Sequence, residues 1–310
     1  MNAVLVTGGA GFLGHRLLQQ LAAARHRGRL ISLDRVTRPD MPGSVLQVIG
    51  DFNDKLLMGN LFEQQDISTV IHLAAIVSGQ AEADFDLGLS VNLDATAGLL
   101  EQARASHQCP RFVFASSVAV FGPGIDCVDD ATEPRPVSTY GFTKLVGEQY
   151  VTEFSRRGFI DGISVRIPTV AVRPGAPNAA ASSFVSGIVR EPLSGLPTNC
   201  PVPVEQPLWV CSPETAVANL IHAATMDVLP EHPVVNFPGI QVTPGQLVQA
   251  MVEQGGQSVL VSWDDDPRVR AIVGSWPGRM VNDRAIRYGF SVDQSADQLV
   301  AQFVASETGR

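Results

Sequence analysis

No stretch of the 310 residues gathers the roughly 20 consecutive apolar residues that a bilayer-crossing helix needs. The chain opens on the strand-like Ala3-Val4-Leu5-Val6, without a basic leader. A cytoplasmic protein with no membrane partner is therefore expected. Runs of lysine or arginine are missing as well, and 22 Lys+Arg against 31 Asp+Glu give a formal net charge of -9. Without a clustered basic footprint there is nothing to grip a phosphate backbone, so no nucleic-acid partner is expected. Cysteine is sparse: Cys109, Cys127, Cys200 and Cys211 form no Cys-x-x-Cys pair and have no histidine at ligand spacing. Neither a zinc site nor a disulfide framework follows, and the four read as buried or inert thiols. No metal is expected, and no internal repeat or low-complexity tract interrupts the chain.

What is present is 45% hydrophobic residues arranged as short apolar runs alternating with helical patterns, the order that builds parallel βαβ units. Strands are predicted at 3–7, 30–34, 45–49, 69–73, 111–116 and 162–167, each apolar enough for burial on both faces. Helices are predicted at 12–24, 55–64, 89–106 and 140–157, where apolar residues recur every three or four positions. The fold class is α/β, a Rossmann-type doubly wound parallel sheet. Beyond Arg166 the texture changes, with Pro168, Pro174, Pro177, Pro192, Pro197, Pro201, Pro203 and Pro207 favouring loops. Residues 1–167 thus read as one lobe and 168–310 as a smaller C-terminal substrate-binding lobe, parts of which are free to return to the main sheet. In the second lobe a helix is predicted at 214–226, a strand at 234–237 and a helix at 244–253 with Thr243 as its N-cap.

Thr7-Gly8-Gly9-Ala10-Gly11-Phe12-Leu13-Gly14 falls where the first strand ends and the first helix begins. Backbone amides and the helix dipole meet a pyrophosphate there. Gly8 permits the tight turn, Gly11 lets phosphate approach the backbone, and Gly14 lets helix and strand pack closely. Asp34, at the end of the second strand, is placed to accept both hydroxyls of an adenosine ribose and to repel a 2′-phosphate, which selects NAD over NADP. Arg35 beside it is the one residue that would greet such a phosphate. Asp51 is a candidate contact for the adenine amino group, and Leu73, Ala74 and Ala75 line the cofactor with small side chains. His72 reads as a hydrogen-bonded strand-end residue.

Tyr140 and Lys144 are four residues apart, on one face of one helix. A phenol with its ordinary pKa of about 10 is too weakly ionised to be a base at neutral pH, but a nearby ammonium favours the phenolate. Ser117 ends the fifth strand at the carboxyl edge, where open α/β sheets bind ligands, and its hydroxyl is placed to hold a reacting alcohol. Ser116 either contacts nicotinamide or caps the strand. The catalytic set read from the sequence is Ser117, Tyr140 and Lys144.

With the glycine loop, His72-Leu73-Ala74-Ala75, Val91-Asn92, Ser116-Ser117, Val120-Phe121-Gly122 and the Tyr140/Lys144 pair in place, the chain resembles the extended short-chain dehydrogenase/reductase family over essentially its full length. The resemblance implies that Phe12, Leu13, Ser116, Tyr140, Lys144 and Pro168 join the NAD site, that Lys144 binds the nicotinamide ribose, and that Asn92 supports the helix behind it. It also implies a homodimer paired through long helices.

Many relatives of this length act on nucleotide-diphosphate sugars, and an NAD-dependent nucleotide-sugar epimerase is the competing reading. Two departures weaken it. Val118-Ala119 follows Ser117 where dehydratases carry an Asp-Glu pair, so elimination lacks its proton donors. The run from Leu208 to Glu214 lacks the usual diphosphate-facing arginine. The stretch from Arg166 to Phe184, continuing through Arg190-Glu191-Pro192-Leu193, resembles the members of the family that act on small sugar acids. That resemblance implies oxidation of the C2 hydroxyl of a four-carbon sugar acid to the 2-oxo acid. Ser182 and Ser183 would open a short helix whose amides attract a carboxylate. Asn178 would read hydroxyl groups, and Arg173 would supply a bidentate carboxylate contact or else serve as a surface salt-bridge residue. A protein that merely senses the dinucleotide is a third reading, which an intact Ser117/Tyr140/Lys144 set opposes.

Overall fold

The computed structural model describes residues 2–177 and 179–308. The first lobe alternates β1 (Ala3–Thr7), α1 (Phe12–Ala23), β2 (Arg29–Asp34), β3 (Val45–Ile49), α2 (Lys55–Gln64) and β4 (Ile67–His72). It continues through α3 (Ser78–Ala83), α4 (Phe85–Leu89), a π-helical turn (Ser90–Asp94), α5 (Ala95–Ala105), β5 (Arg111–Ser117), α6 (Thr139–Arg156) and β6 (Asp161–Ile167). There follow β7 (Thr169–Val170), α7 (Ser183–Leu193), β8 (Thr198–Asn199), β9 (Leu208–Cys211), α8 (Pro213–Thr225), β10 (Val234–Asn236) and β11 (Ile240–Val242). The chain closes with α9 (Pro244–Glu253), β12 (Val261–Ser262), α10 (Pro267–Val273), α11 (Asp283–Arg287) and α12 (Ala296–Thr308).

Seven strands form the main sheet in the order β10-β6-β5-β4-β1-β2-β3, every neighbour parallel. The two-residue side-chain period of a strand divides each apolar run between the faces. Val4, Val6 and Ile71 turn to one side and pack on Leu17 and Leu18 of α1 and Leu220 of α8. Leu5, Ile31 and Val70 turn to the other, against Met58 of α2, Leu99 of α5 and Val151 of α6. Each such side chain removed from water contributes about 1.5–3 kcal/mol. A separate core in the C-terminal half gathers Val185, Ile188, Val210, Leu247, Met251 and Leu299. That half is not set apart from the sheet, since β10 pairs with β6 as its seventh strand.

The helices α2 and α9 span the residues their caps dictate: Asp54 accepts from the amides of Leu56 and Leu57, and Thr243 and Gln246 form a capping box. One element differs. The single helix expected over 89–106 is broken into α4, the π turn and α5. The extra residue in that turn aims the Asn92 carboxamide at the backbone of Ile76, accepting from its N–H (2.9 Å) and donating to its carbonyl (3.1 Å). Of the four thiols read as buried or inert, Cys200 and Cys211 are buried, Cys127 is half-buried and Cys109 exposed, all of them free. Cys109 sits at a φ of 48° in the turn between α5 and β5, which puts it at the surface. Among the described residues no helix is long and apolar enough to cross a membrane.

Candidate active site

The glycine loop closes over the carboxyl ends of β1 and β4. Gly8 takes a φ of 71°, and a Cβ there would come within 2.9 Å of the Ala74 nitrogen. A Cβ on Gly14 would lie 2.2 Å from the Gly8 carbonyl oxygen, so helix α1 starts against the loop with no room for a side chain. The first turn of α1 carries no acidic residue and its N-cap, Gly11, offers no side-chain acceptor. Its amides therefore remain available to an anion. Asp34 braces the loop from the end of β2: Oδ2 accepts from the Ala10 N–H at 3.0 Å and Oδ1 from that of Arg35 at 2.7 Å. Arg35 itself is exposed. Arg38 donates to the Ala10 carbonyl at 3.3 Å and pairs with Asp40. A cradle that excludes Cβ atoms, a helix start without an anion and a carboxylate at the ribose position fit a dinucleotide.

A cleft of about 350 Å³ runs from this loop to the ends of β5 and β6. Gly8, Gly11, Phe12, Leu13 and Gly14 form one end. Leu73, Ala75 and Pro168 form its walls, and Ser116, Ser117, Tyr140 and Lys144 its far end. Ala74 does not line it but backs Gly8 through its nitrogen. Asp51 lies exposed outside it and accepts from the Asn53 N–H at 2.9 Å. His72 is buried and accounted for by hydrogen bonds to the Thr7 and Thr96 hydroxyls at 2.6 and 2.9 Å.

Ser138 caps α6 by accepting from the Gly141 N–H (3.1 Å), which sets Tyr140 in the first turn and Lys144 one turn on. Ser117 ends β5 and hydrogen-bonds the Tyr140 phenol. Burial pushes that phenol up to about 12, while the Ser117 hydrogen bond and the charge of Arg173 pull it back. Lys144 is buried, its Nζ donating to the Ala115 carbonyl at 2.8 Å and standing 5.6 Å from the Tyr140 ring centre. Burial lowers it to about 8, against the pull of Glu148. Arg173 thus joins Lys144 as a cation beside the phenol, a neighbour that the sequence had not assigned to Tyr140.

Arg173 is half-buried in the same cleft and has no carboxylate partner among the described residues. The surface salt-bridge alternative therefore finds no partner there. Its N–H donates to Ser186 Oγ at 3.0 Å, and its carbonyl accepts from Arg190 at 2.7 Å. Ser182 borders the cleft at the start of α7 with its hydroxyl making no cap hydrogen bond, whereas Ser183 lies one residue inside the helix and off the cleft lining. Asn178 lies outside the described residues.

Two features escaped the sequence. Trp276 reaches the cleft from the C-terminal half, its indole Nε1 buried with no acceptor among the described residues. Its flanking Gly274 and Pro277 announce only a loop. Glu148 and Arg166 pair beneath the site at 2.7 Å, and the sole local signal was an acid one turn after Lys144.

Comparison with known proteins agrees with this geometry. The NAD dependent epimerase/dehydratase family model matches residues 4–223. The chain is 45% identical to D-erythronate dehydrogenase of Cupriavidus necator, covering 97% of each chain. It is 41% identical to D-erythronate dehydrogenase of Haemophilus influenzae, over 97% of this chain and 98% of that one. Among solved structures it is similar to the nucleoside-diphosphate-sugar epimerase from Agrobacterium tumefaciens, with a TM-score of 0.91 and 33% identity over 100% of this chain and 96% of that one. With the glycine cradle, the strand-end serines and the tyrosine–lysine helix all in their places, the chain belongs to the NAD dependent epimerase/dehydratase family and takes NAD as its cofactor.

Proposed function

We propose that this enzyme oxidises the C2 hydroxyl of a small sugar acid to the 2-oxo acid, with D-erythronate its first candidate substrate. The observation that carries this reading is Arg173: a guanidinium without a carboxylate partner among the described residues, in the cleft beside Tyr140. A half-buried cation of that kind is best met by an anion, and a carboxylate next to the reacting carbon supplies it bidentately. The two D-erythronate dehydrogenases at 45% and 41% identity support the same substrate.

Ser117 and Tyr140 hold the C2 hydroxyl, and the Tyr140 phenolate takes its proton as the C2 hydrogen leaves with its electron pair. NAD, when bound, supplies the acceptor for that hydride. Lys144 holds positive charge behind the phenol, and Arg173 fixes the carboxylate so that C2, and not C3, faces the base. Ser182 at the opening of α7 adds a hydroxyl to the carboxylate end. Residues 1–167 hold the cofactor and the base, and 168–310 mainly shape the substrate side.

The test is NAD reduction across four- to six-carbon sugar acids, with nucleotide sugars alongside. D-erythronate should accumulate NADH continuously. Interconversion of nucleotide-sugar isomers with no NADH released would replace this reading with that of an epimerase. We also propose a cytoplasmic location and, from the family resemblance, a homodimer, for which light scattering should give twice the 33.1 kDa of one chain.

A further inference from the structure

Beneath the cleft, with the Glu148 and Arg166 side chains off its lining, lies a buried ionic set. Glu148 is one turn beyond Lys144 and two beyond Tyr140, so all three share a face of α6. Its side chain is fully buried. Oε1 accepts from Ser116 Oγ at 2.5 Å and from Arg166 Nε at 2.9 Å, and Oε2 accepts from Arg166 Nη2 at 2.7 Å. Arg166, on β6, is held in turn by the Phe121 ring at 4.9 Å. Ser116 directly follows Ala115, whose carbonyl accepts the Lys144 ammonium at 2.8 Å. Adjacent residues of β5 therefore anchor both the lysine and the carboxylate.

We propose that Glu148, locked by Arg166 and Ser116, is a positioning residue that keeps Lys144 in its ammonium form and so sets the alkaline limit of catalysis.

Charges around Lys144 make the case. Its own helix presents the Tyr140 phenol and Glu148. From β4 comes His72, which burial lowers to about 3 and so leaves neutral. From β6 comes Arg166, and from the cleft Arg173, both cations. Among the described residues Glu148 is the one carboxylate of this group, and burial pushes the ammonium to give up its proton. With Lys144 lowered to about 8 even with Glu148 present, little further loss of stabilisation would neutralise it in the working pH range. Arg166 tempers the carboxylate, so removing one partner or the other should move Lys144 in opposite directions. A merely structural ion pair predicts no such opposition.

Lys55 and Lys144 are the only lysines in the chain, and Lys55 is exposed. Carbon-13 NMR of lysine-labelled, NADH-bound protein therefore follows Lys144 directly, with Lys55 as internal reference. Glu148→Gln should lower the Lys144 midpoint by about one pH unit or more, Arg166→Gln should raise it, and Glu148→Asp should return it towards wild type. The alkaline limb of kcat should move with each midpoint. In a Lys144→Arg background, whose guanidinium keeps its proton, Glu148→Gln should leave that limb in place. A folded Glu148→Gln protein with an unmoved midpoint, or variants at 148 and 166 that shift it the same way, overturns the proposal. Should Glu148→Gln not accumulate as folded protein, the direction seen in Arg166→Gln decides. The inference rests on the reading that charged Lys144 serves Tyr140, yet its NMR arm needs no substrate. Failure of every sugar acid to reduce NAD would therefore sink the substrate assignment without touching the midpoints.

Discussion

Tyr140, the base in the proposed reaction, is caught between opposed influences. Burial raises the phenol to about 12, with the Ser117 hydrogen bond and Arg173 acting against it. Replacing Tyr140 with Phe should lower kcat by roughly 10²–10⁴-fold, the usual range for a lost general base. Fluorescence titration should find NADH binding retained. Arg173→Met should raise KM for D-erythronate and also shift the acid limb of kcat upward, because a phenol that loses a neighbouring cation ionises at higher pH. A KM effect with an unmoved limb would confine Arg173 to reading the carboxylate. At this scale Ser117, Tyr140 and Lys144 were legible because fixed spacing on one helix and one strand end implies their meeting. Trp276 was not, for it reaches the cleft across 136 positions from Tyr140, and only the folded chain brings those together.

Elements carry their own predictions, chiefly where backbone lies against backbone. Gly14→Ala would set a Cβ 2.2 Å from the Gly8 carbonyl, and neither side of that contact has a flexible end to yield. Isothermal titration should find NAD binding lost or weakened by more than about tenfold. If Asp34 holds the adenosine ribose as proposed from the sequence, Asp34→Ala should weaken NAD by a comparable factor and relax the exclusion of NADP. The helix α9 was readable to the residue behind its Thr243 cap, and α2 from its apolar spacing, with Asp54 found as its cap in the structure. The π turn at 90–94 was invisible because apolar periodicity averages over several turns and does not register one inserted residue. Its purpose, delivering the Asn92 carboxamide to Ile76, is a tertiary demand with no local signature.

At the scale of the whole molecule, stability and chemistry meet at His72. Its ring lies at the centre of the sheet, 1% exposed, with Phe52, Phe112 and Phe114 around it and a threonine hydroxyl on each nitrogen. Burial lowers its pKa from 6.5 to about 3, the Lys144 charge adding to the same direction. In the unfolded chain it takes a proton near pH 6.5, while the folded chain refuses one until about pH 3. Between those values the unfolded state binds more protons, so stability rises with pH and is lost on acidification at up to about 1.4 kcal/mol per unit. That loss is present in full only below the folded value. Denaturant titrations from pH 7 to 4 should therefore give a falling unfolding free energy in wild type and a shallower slope in His72→Gln, which keeps polar atoms for the two threonines but cannot charge. Equal slopes would mean that the carboxylates of an acidic chain, not this ring, govern its acid sensitivity.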